Sequence, residues 1–178
     1  MKLKHYDNDG RARFITFCTH KRLPLLTNNK FRQIIIDSFK LIREEQNLKF
    51  IAYVIMPEHI HLVILPSDDT LIGGVIGNIK KASARKIHKL LSSNNSDLIH
   101  KLTVTRNGNK RFALWQRRCY DHNCRSENSL WEKVDYCHNN PVKRGLVQTP
   151  EAWQWSSYRW YKGFKDVVLE MDFIAETD

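Results

Sequence analysis

Two histidines that flank a single residue are the first side chains in this sequence with the chemistry for a site. The stretch Tyr53-Val-Ile-Met-Pro-Glu-His-Ile-His-Leu-Val-Ile-Leu65 is typical of two buried strands joined at Pro57-Glu58. Because alternate residues of a strand face the same side, His59 and His61 project together while Ile60 points to the opposite face. Two adjacent imidazoles form half of a metal site. Two half-buried polar residues on a strand are the alternative interpretation.

A tyrosine and an asparagine further along the chain could complete such a site. Tyr136 and Asn140 are four residues apart in a segment predicted to be helical from about Asn128, so they are neighbours on one side of that helix. Its buried side is marked by Leu130, Val134 and Cys137. Pro141 predicts the end of the helix and places Asn140 at its frayed terminus. Tyr136 and Asn140 could both face the histidine pair.

Hydrophobic periodicity predicts the elements that must hold these residues in place. Strand alternation covers Arg13–Thr19, and apolar residues at helical spacing cover residues 29–46, with Thr27 or Asn28 available as the N-cap. The two strands of the histidine pair come next. A second helix, apolar on one side and basic on the other, then begins near Leu71.

Residues 92–125 contain the last predicted strand and complete the order of strands and helices. The turn-rich residues 92–110 predict a loop or a small hairpin, and residues 111–125 predict the last strand and its exit. The order β-α-β-β-α-β is that of a ferredoxin-like α+β fold, with one antiparallel sheet and two helices on one face. The sheet's other face is left for function or for the third helix.

The composition indicates one domain with a polyanionic partner. The chain has 178 residues, of which 42% are hydrophobic, and this is enough for one packed core. We assign the core to about residues 12–147 and an extension, expected to contact nucleic acid, to about 148–178. The formal charge is +10, and the basic residues are interleaved with aromatic ones. This pattern favours nucleic acid, while a basic protein that only repels its own copies is the alternative.

Three segments supply candidate contacts to nucleic acid. The second helix has a basic side, and residues 111–125 and the tail after Gly145 mix cations with aromatic rings that could stack on bases. A solvated lysine face is the alternative for the helix, and core packing is the alternative for Trp115. The candidates are Lys80, Lys81, Arg85, Arg117, Arg118, Trp155 and Arg159.

The sequence gives no sign of a membrane partner. No apolar run approaches the roughly 20 residues that a bilayer-spanning helix needs, and the N-terminus lacks the apolar core of a signal peptide. We therefore expect a cytoplasmic protein, associated with the nucleoid through its nucleic-acid partner.

Five blocks of sequence, in order between about residues 12 and 160, resemble one known family. They are Phe14-Ile-Thr-Phe-Cys-Thr-His-Lys-Arg-Leu-Pro-Leu-Leu-Thr27, Tyr53-Val-Ile-Met-Pro-Glu-His-Ile-His61, Trp115-Gln-Arg-Arg-Cys-Tyr-Asp-His122, Tyr136-Cys-His-Asn-Asn-Pro-Val-Lys-Arg-Gly-Leu-Val147 and Pro150-Glu-Ala-Trp-Gln-Trp-Ser-Ser-Tyr158. Together they resemble the REP-associated tyrosine transposases, which belong to the HUH-type single-tyrosine transposase superfamily. The fold of that family agrees with the ferredoxin-like order derived above.

The resemblance implies a role for each residue of the candidate site. His59 and His61 stand where the family has metal-binding histidines, Tyr136 stands at the nucleophile, and Asn140 stands at a polar third ligand. The implied metal is Mg²⁺ or Mn²⁺, and the implied partner is single-stranded DNA with palindromic hairpins. The implied activity is that of an endonuclease and strand transferase with a covalent 5′-phosphotyrosine intermediate.

Alternatives remain open at this point. A ferredoxin-like sheet with basic and aromatic surfaces could bind single-stranded nucleic acid without cutting it. A metal-dependent hydrolase of small phosphoesters would fit the histidines and leave the charge unexplained. Tyr120 and His122 could contribute to the chemistry, or Asp121 and His122 could form a structural pair. The sequence is compatible with a monomer or a homodimer.

Overall fold

A four-stranded antiparallel sheet forms the centre of the protein. The computed structural model describes residues 10–67 and 70–172. The ends of the predicted domain, including the last residues of its extension, lie outside these. The strands of the sheet are β1 (Arg13–Cys18), β2 (Lys49–Ile55), β3 (His59–Leu65) and β6 (Tyr120–Asn123), and they lie in the order β2-β3-β1-β6. With the helices below, they give the predicted β-α-β-β-α-β order, and the α+β fold class is confirmed.

Two long helices, α1 (Asn29–Gln46) and α2 (Ile72–Ser93), bury the larger core against one face of the sheet. The side chain of Asn28 accepts a hydrogen bond from the backbone N–H of Lys30 at 2.9 Å, which identifies Asn28 as the N-cap of α1. The helix ends at Asn47, whose φ of 48° is left-handed. The core of this face includes Ile60, Leu62 and Ile64 of β3 and Ile35 and Phe39 of α1.

Helix α4 (Glu127–Lys143) covers the opposite face of the sheet. The prediction that Pro141 ends this helix is wrong, because the helix continues to Lys143 with the proline inside it. A proline so near the C-terminus removes only one N–H from the ladder. The backbone N–H of Arg144 still donates to the carbonyl of Asn140 at 3.0 Å. Asn140 is therefore held in a regular turn of the helix and not at a frayed end.

Residues between α2 and β6 form a small insertion. It contains α3 (Leu98–Lys101) and the hairpin β4 (Thr103–Arg106) and β5 (Asn109–Phe112), so the hairpin alternative for residues 92–110 is confirmed. The expectation that the last strand begins near Arg111 is wrong. Arg111 belongs to the separate two-stranded sheet, and only Tyr120–Asn123 joins the main sheet.

The C-terminal segment runs along the outer edge of β2. The backbone N–H of Ile55 donates to the carbonyl of Trp155 at 2.8 Å, and Ser157 N–H donates to the carbonyl of Tyr53 at 3.0 Å. This segment includes the short helix α5 (Tyr158–Tyr161). Among residues 10–67 and 70–172, no helix has the length and apolar character of a membrane span.

Candidate active site

The two histidines project from β3 onto the face of the sheet that α4 covers. Both side chains are buried, and their Nε2 atoms are 3.0 Å apart. Ile60, between them in sequence, is fully buried in the core on the other face. The alternation of the strand thus places both imidazoles side by side, as the sequence predicts.

Glu58 connects His59 to two half-exposed arginines. Its Oε1 atom lies 2.9 Å from Nδ1 of His59 and accepts hydrogen bonds from Arg22 and Arg144, each at 3.1 Å. Burial alone would raise the pKa of Glu58, but His59, Arg144 and Arg22 together lower it. An ionised carboxylate can only accept a hydrogen bond. The proton of a neutral His59 is therefore on Nδ1, and its Nε2 presents a lone pair to His61.

Both imidazoles are held in the neutral form. Burial lowers the pKa of His59, and Glu58 only partly offsets this effect. Burial, together with electrostatic repulsion between a protonated His61 and its neighbours His59 and Arg22, lowers the pKa of His61 to about 3. A neutral imidazole is the form that binds a metal ion.

Thr16 holds the other ring nitrogen of His61. Its Oγ1 atom lies 2.7 Å from Nδ1 of His61, because the two residues are paired across β1 and β3. When this hydroxyl donates, Nε2 of His61 carries the proton and donates to Nε2 of His59. When it accepts, the two Nε2 lone pairs face each other, and this arrangement is stable only with a cation between them.

Asn140 is the third polar side chain beside the histidine pair, and one of its amide atoms has no hydrogen-bond partner among the described residues. Its Nδ2 atom is 3.3 Å from Nε2 of His61, while its buried Oδ1 has no hydrogen-bond partner among the described residues. A 180° turn of the amide exchanges the two atoms and points the oxygen at the histidine pair. Within the described chain, no three His, Cys, Asp or Glu side chains cluster as metal ligands. Two imidazoles and an amide oxygen are nevertheless a chemically suitable donor set for a divalent cation.

Tyr136 lies on α4 beside the histidine pair. Its ring centroid is 5.1 Å from that of His61 and 5.7 Å from that of Phe14. The Nζ atom of Lys143 lies 5.7 Å from the same ring. Tyr136 is 40% exposed. Packing therefore fixes the ring next to the buried histidines, and the exposed part of the ring is open to solvent.

Tyr120 and His122 lie on β6, two strands away from the histidine pair. Tyr120 is 52% exposed, and its ring centroid is 6.3 Å from that of Phe14. Asp121 points away from these residues and forms a two-bond ion pair with Arg13, at 3.0 and 2.7 Å. Tyr136 is thus the tyrosine that contacts His61, while Tyr120 contacts Phe14.

The candidate DNA-binding residues fall into two groups. Lys81, Arg85, Arg117 and Arg118 are exposed. Lys80 is partly buried, and its Nζ donates to the backbone carbonyl of Gln116 at 3.0 Å. Lys80 therefore holds the loop that carries Arg117 and Arg118.

Two of the candidates, Trp155 and Arg159, form contacts within the protein. These contacts argue against the predicted contacts with DNA. Trp155 is only 9% exposed and belongs to the main core. Arg159 donates to both carboxylate oxygens of Asp166 at 2.6 Å and lies over the ring of Phe164. Trp115 is also in the core, where its Nε1 donates to Ser83 at 3.0 Å.

Sequence reasoning missed the residues that orient the site. Thr16 and Glu58 contact the outer ring nitrogens of the two histidines, and Arg22 and Arg144 contact Glu58. The position of Glu58 directly before His59 was a signal that could have been used. Thr16 could have been found only from the register of β1 and β3.

The sequence is similar to those of known transposases. Residues 12–131 match the family of IS200-like transposases, a range that includes both histidines and ends within α4 before Tyr136. A Haemophilus influenzae protein assigned to the REP-associated tyrosine transposases is 30% identical over 144 residues, which is 80% of this chain and 72% of that protein. The REP-associated tyrosine transposase of Escherichia coli strain K12 is 24% identical over 156 residues, covering 87% and 80% of the two chains.

A solved structure has the same fold. The structure of a REP-associated tyrosine transposase bound to a REP hairpin matches with a TM-score of 0.69 and 20% identity, over 100% of this chain and 97% of that chain. At this identity the likeness shows the fold alone.

A family match over most of the chain, on a fold that sets a histidine pair beside a tyrosine, defines an IS200-like transposase. Within that class, the chain belongs to the REP-associated tyrosine transposases, as its sequence motifs indicate. It is therefore an enzyme of the tyrosine transposase type.

Proposed function

We propose that this transposase is a metal-dependent single-strand DNA endonuclease and strand transferase, which acts on hairpin-forming repeats through a covalent bond to Tyr136. The observation that carries the proposal is the contact between Tyr136 and His61, at 5.1 Å between ring centroids. It places a partly exposed phenol beside two neutral imidazoles and an unsatisfied amide.

His59, His61 and Asn140 would hold a divalent cation, Mg²⁺ or Mn²⁺. When bound, such a cation supplies Lewis-acid polarisation of a non-bridging phosphate oxygen. Glu58 fixes the tautomer of His59, and Thr16 accepts a hydrogen bond from His61 in the metal-bound tautomer. The half-exposed Arg22 and Arg144, both paired with Glu58, place positive charge next to the site. That charge favours the approach of an anionic backbone.

The chemical step is a transesterification in which the number of phosphate ester bonds is conserved. The phenolic oxygen of Tyr136 attacks phosphorus and loses its proton to solvent, and the bond to the 3′ oxygen breaks. The 3′ oxygen takes up a proton and leaves as a hydroxyl, while the 5′ end remains bound to the tyrosine. A second 3′-hydroxyl reverses these steps and rejoins the strand without a nucleotide cofactor.

Hairpin DNA is proposed as the substrate on two grounds. The net charge of +10 favours a polyanion, and a protein of similar fold has been solved bound to a REP hairpin. In this proposal the enzyme acts in the cytoplasm on chromosomal repeats.

The test is the covalent adduct. Incubation with a labelled single-stranded hairpin oligonucleotide and Mn²⁺ is expected to give a protein–DNA species that survives denaturing electrophoresis. The species is expected to be absent in Tyr136→Phe, which removes only the hydroxyl and keeps the ring packing on Phe14 and His61.

The matched control is Tyr120→Phe, which removes the same atom from the more exposed tyrosine nearby. It is expected to form the adduct at the wild-type level. An adduct that persists in Tyr136→Phe and disappears in Tyr120→Phe would move the nucleophile to β6. A hydrolase of small phosphoesters would cleave through water and give no adduct, and a non-catalytic module would leave the DNA whole.

A further inference from the structure

The hairpin inserted between α2 and β6 has a firmly attached base and an exposed tip. At its base, Leu102 is fully buried, and the hydroxyl of Thr103 donates to the carbonyl of Ile99 at 2.7 Å. Phe112 packs on the main core, with its ring centroid 4.7 Å from that of His88. Residues 105–111 are all exposed. The insertion is therefore a structured arm and can present side chains in fixed positions.

A polar cleft of about 660 Å³ lies between this arm and the loop before β6. Arg106 and Arg111 come from the hairpin and Arg117 comes from the loop. The remaining lining residues are Thr105 and Asn107, so no acidic or aromatic side chain lines the cleft. In residues 10–67 and 70–172, none of these three arginines forms an ion pair with a carboxylate.

The backbone of Arg117 is held beside the cleft by hydrogen bonds. Lys80 donates to the carbonyls of Gln116 at 3.0 Å and of Arg117 at 3.4 Å. The backbone N–H of Gln116 donates to the carbonyl of Cys18 at 2.9 Å. Cys18 is paired directly with His59 across β1 and β3. The cleft and the candidate active site are thus connected through adjacent backbone positions.

The chemistry of the cleft selects one kind of ligand. Guanidinium groups match phosphate oxygens with two parallel hydrogen bonds, and three of them around one cleft concentrate anions. A cleft without aromatic side chains cannot hold an unpaired base by stacking. Contacts to the phosphate backbone add affinity and position the nucleic acid without reading its sequence.

We propose that this arginine cleft, formed by Arg106, Arg111 and Arg117, binds the phosphodiester backbone of the DNA substrate next to the active site. The proposal rests on the proposed function for the identity of the substrate. The cleft supplies affinity and register, and takes no part in the chemical step at Tyr136.

The experiment replaces Arg106, Arg111 and Arg117 together by glutamine in a Tyr136→Phe background. Fluorescence anisotropy measures the dissociation constant of a hairpin oligonucleotide, without metal and over a range of salt concentrations. We expect at least a tenfold loss of affinity. We also expect the slope of log Kd against log salt to fall by about 1 for each arginine.

The control makes the same change of charge on α1 and on β2, which is at the opposite edge of the main sheet from β6. The variant with Lys30→Gln, Lys40→Gln and Lys49→Gln changes three exposed lysines on α1 and β2 and is expected to lose less than threefold. Arg→Lys at the three cleft positions should keep the salt slope and recover only part of the affinity, because lysine cannot bind phosphate in two parallel bonds. An equal loss in the glutamine cleft variant and the control would overturn the proposal.

Two readouts separate this proposal from the proposed function. With Tyr136 restored, the cleft variant is expected to form the adduct at the wild-type rate under saturating DNA, and a rate loss there would contradict a binding role. Binding is measured without metal or nucleophile. A wild-type protein that forms no adduct would therefore count against the chemistry at Tyr136. The measured effect of the cleft variant on DNA affinity would still test the present proposal.

Discussion

Thr16 and His61 are paired across two strands, with Oγ1 of the threonine 2.7 Å from Nδ1 of the histidine. A hydroxyl can donate or accept, so Thr16 supports either tautomer of His61. His59 is different, because the carboxylate of Glu58 only accepts and fixes its proton on Nδ1. The pair can therefore exist metal-free, with one N–H between the rings, or with both Nε2 lone pairs directed at a cation.

We expect Thr16→Val to weaken metal binding by about 10–100-fold, which is typical for loss of a residue that orients a ligand. Valine keeps the shape and removes the hydroxyl, so the metal-binding tautomer of His61 loses its acceptor. The measurement is calorimetric titration with Mn²⁺. Thr16→Ser, which keeps the hydroxyl, is the control and is expected to bind within a few-fold of wild type. Equal binding by the valine and serine variants would refute a role for the hydroxyl.

His59→Ala and His61→Ala are each expected to abolish metal-dependent cleavage and adduct formation. Affinity for the hairpin, measured without metal, is expected to stay within about threefold of wild type, because the basic surface that supplies binding is unchanged. His100→Ala is the control, because it removes an exposed imidazole on α3, away from the histidine pair in the chain. Full cleavage by either of the first two variants would remove the histidines from the site.

Asp121→Asn is expected to lower the free energy of unfolding by about 3–5 kcal/mol, because the buried Arg13 loses the carboxylate of its ion pair. The Arg13 and Asp121 side chains are 2% and 3% exposed and are joined by two hydrogen bonds. Urea denaturation measures the loss. The exposed Glu132→Gln should change the unfolding free energy by no more than about 0.5 kcal/mol. A similar small change in both would show that the buried pair contributes little.

Trp155→Ala is expected to act on stability and not on DNA contact. Loss of this core ring should cost about 3–5 kcal/mol, and the affinity of the folded protein for the hairpin should stay within twofold. Binding is measured at a temperature at which circular dichroism shows the variant to be folded. A folded variant with a tenfold loss of affinity would restore Trp155 as a DNA-binding residue.

The sequence by itself determined the class of fold and predicted which residues of the candidate site share one side of their strand or helix. Strand alternation placed His59 and His61 on one side, and helical spacing placed Tyr136 and Asn140 on one side of α4, since both periods are properties of the local backbone. Turn residues among residues 92–110 indicated a loop or a small hairpin, and the structure has the hairpin. These features depend only on neighbours in the chain, and they are the ones that agree with the structure.

Only the tertiary structure decided which of the predicted functional residues contact one another and which are buried in the core or paired with other side chains. An aromatic residue in a basic tail looks the same in sequence whether it is exposed or, like Trp155, packed against β2. Local preference at Pro141 predicted a helix end, but the packing of α4 on the sheet outweighs one lost hydrogen bond. Thr16 reaches His61 across 45 residues of chain. Such contacts depend on the register between two strands that are distant in the chain, and this register is set when their buried faces pack together.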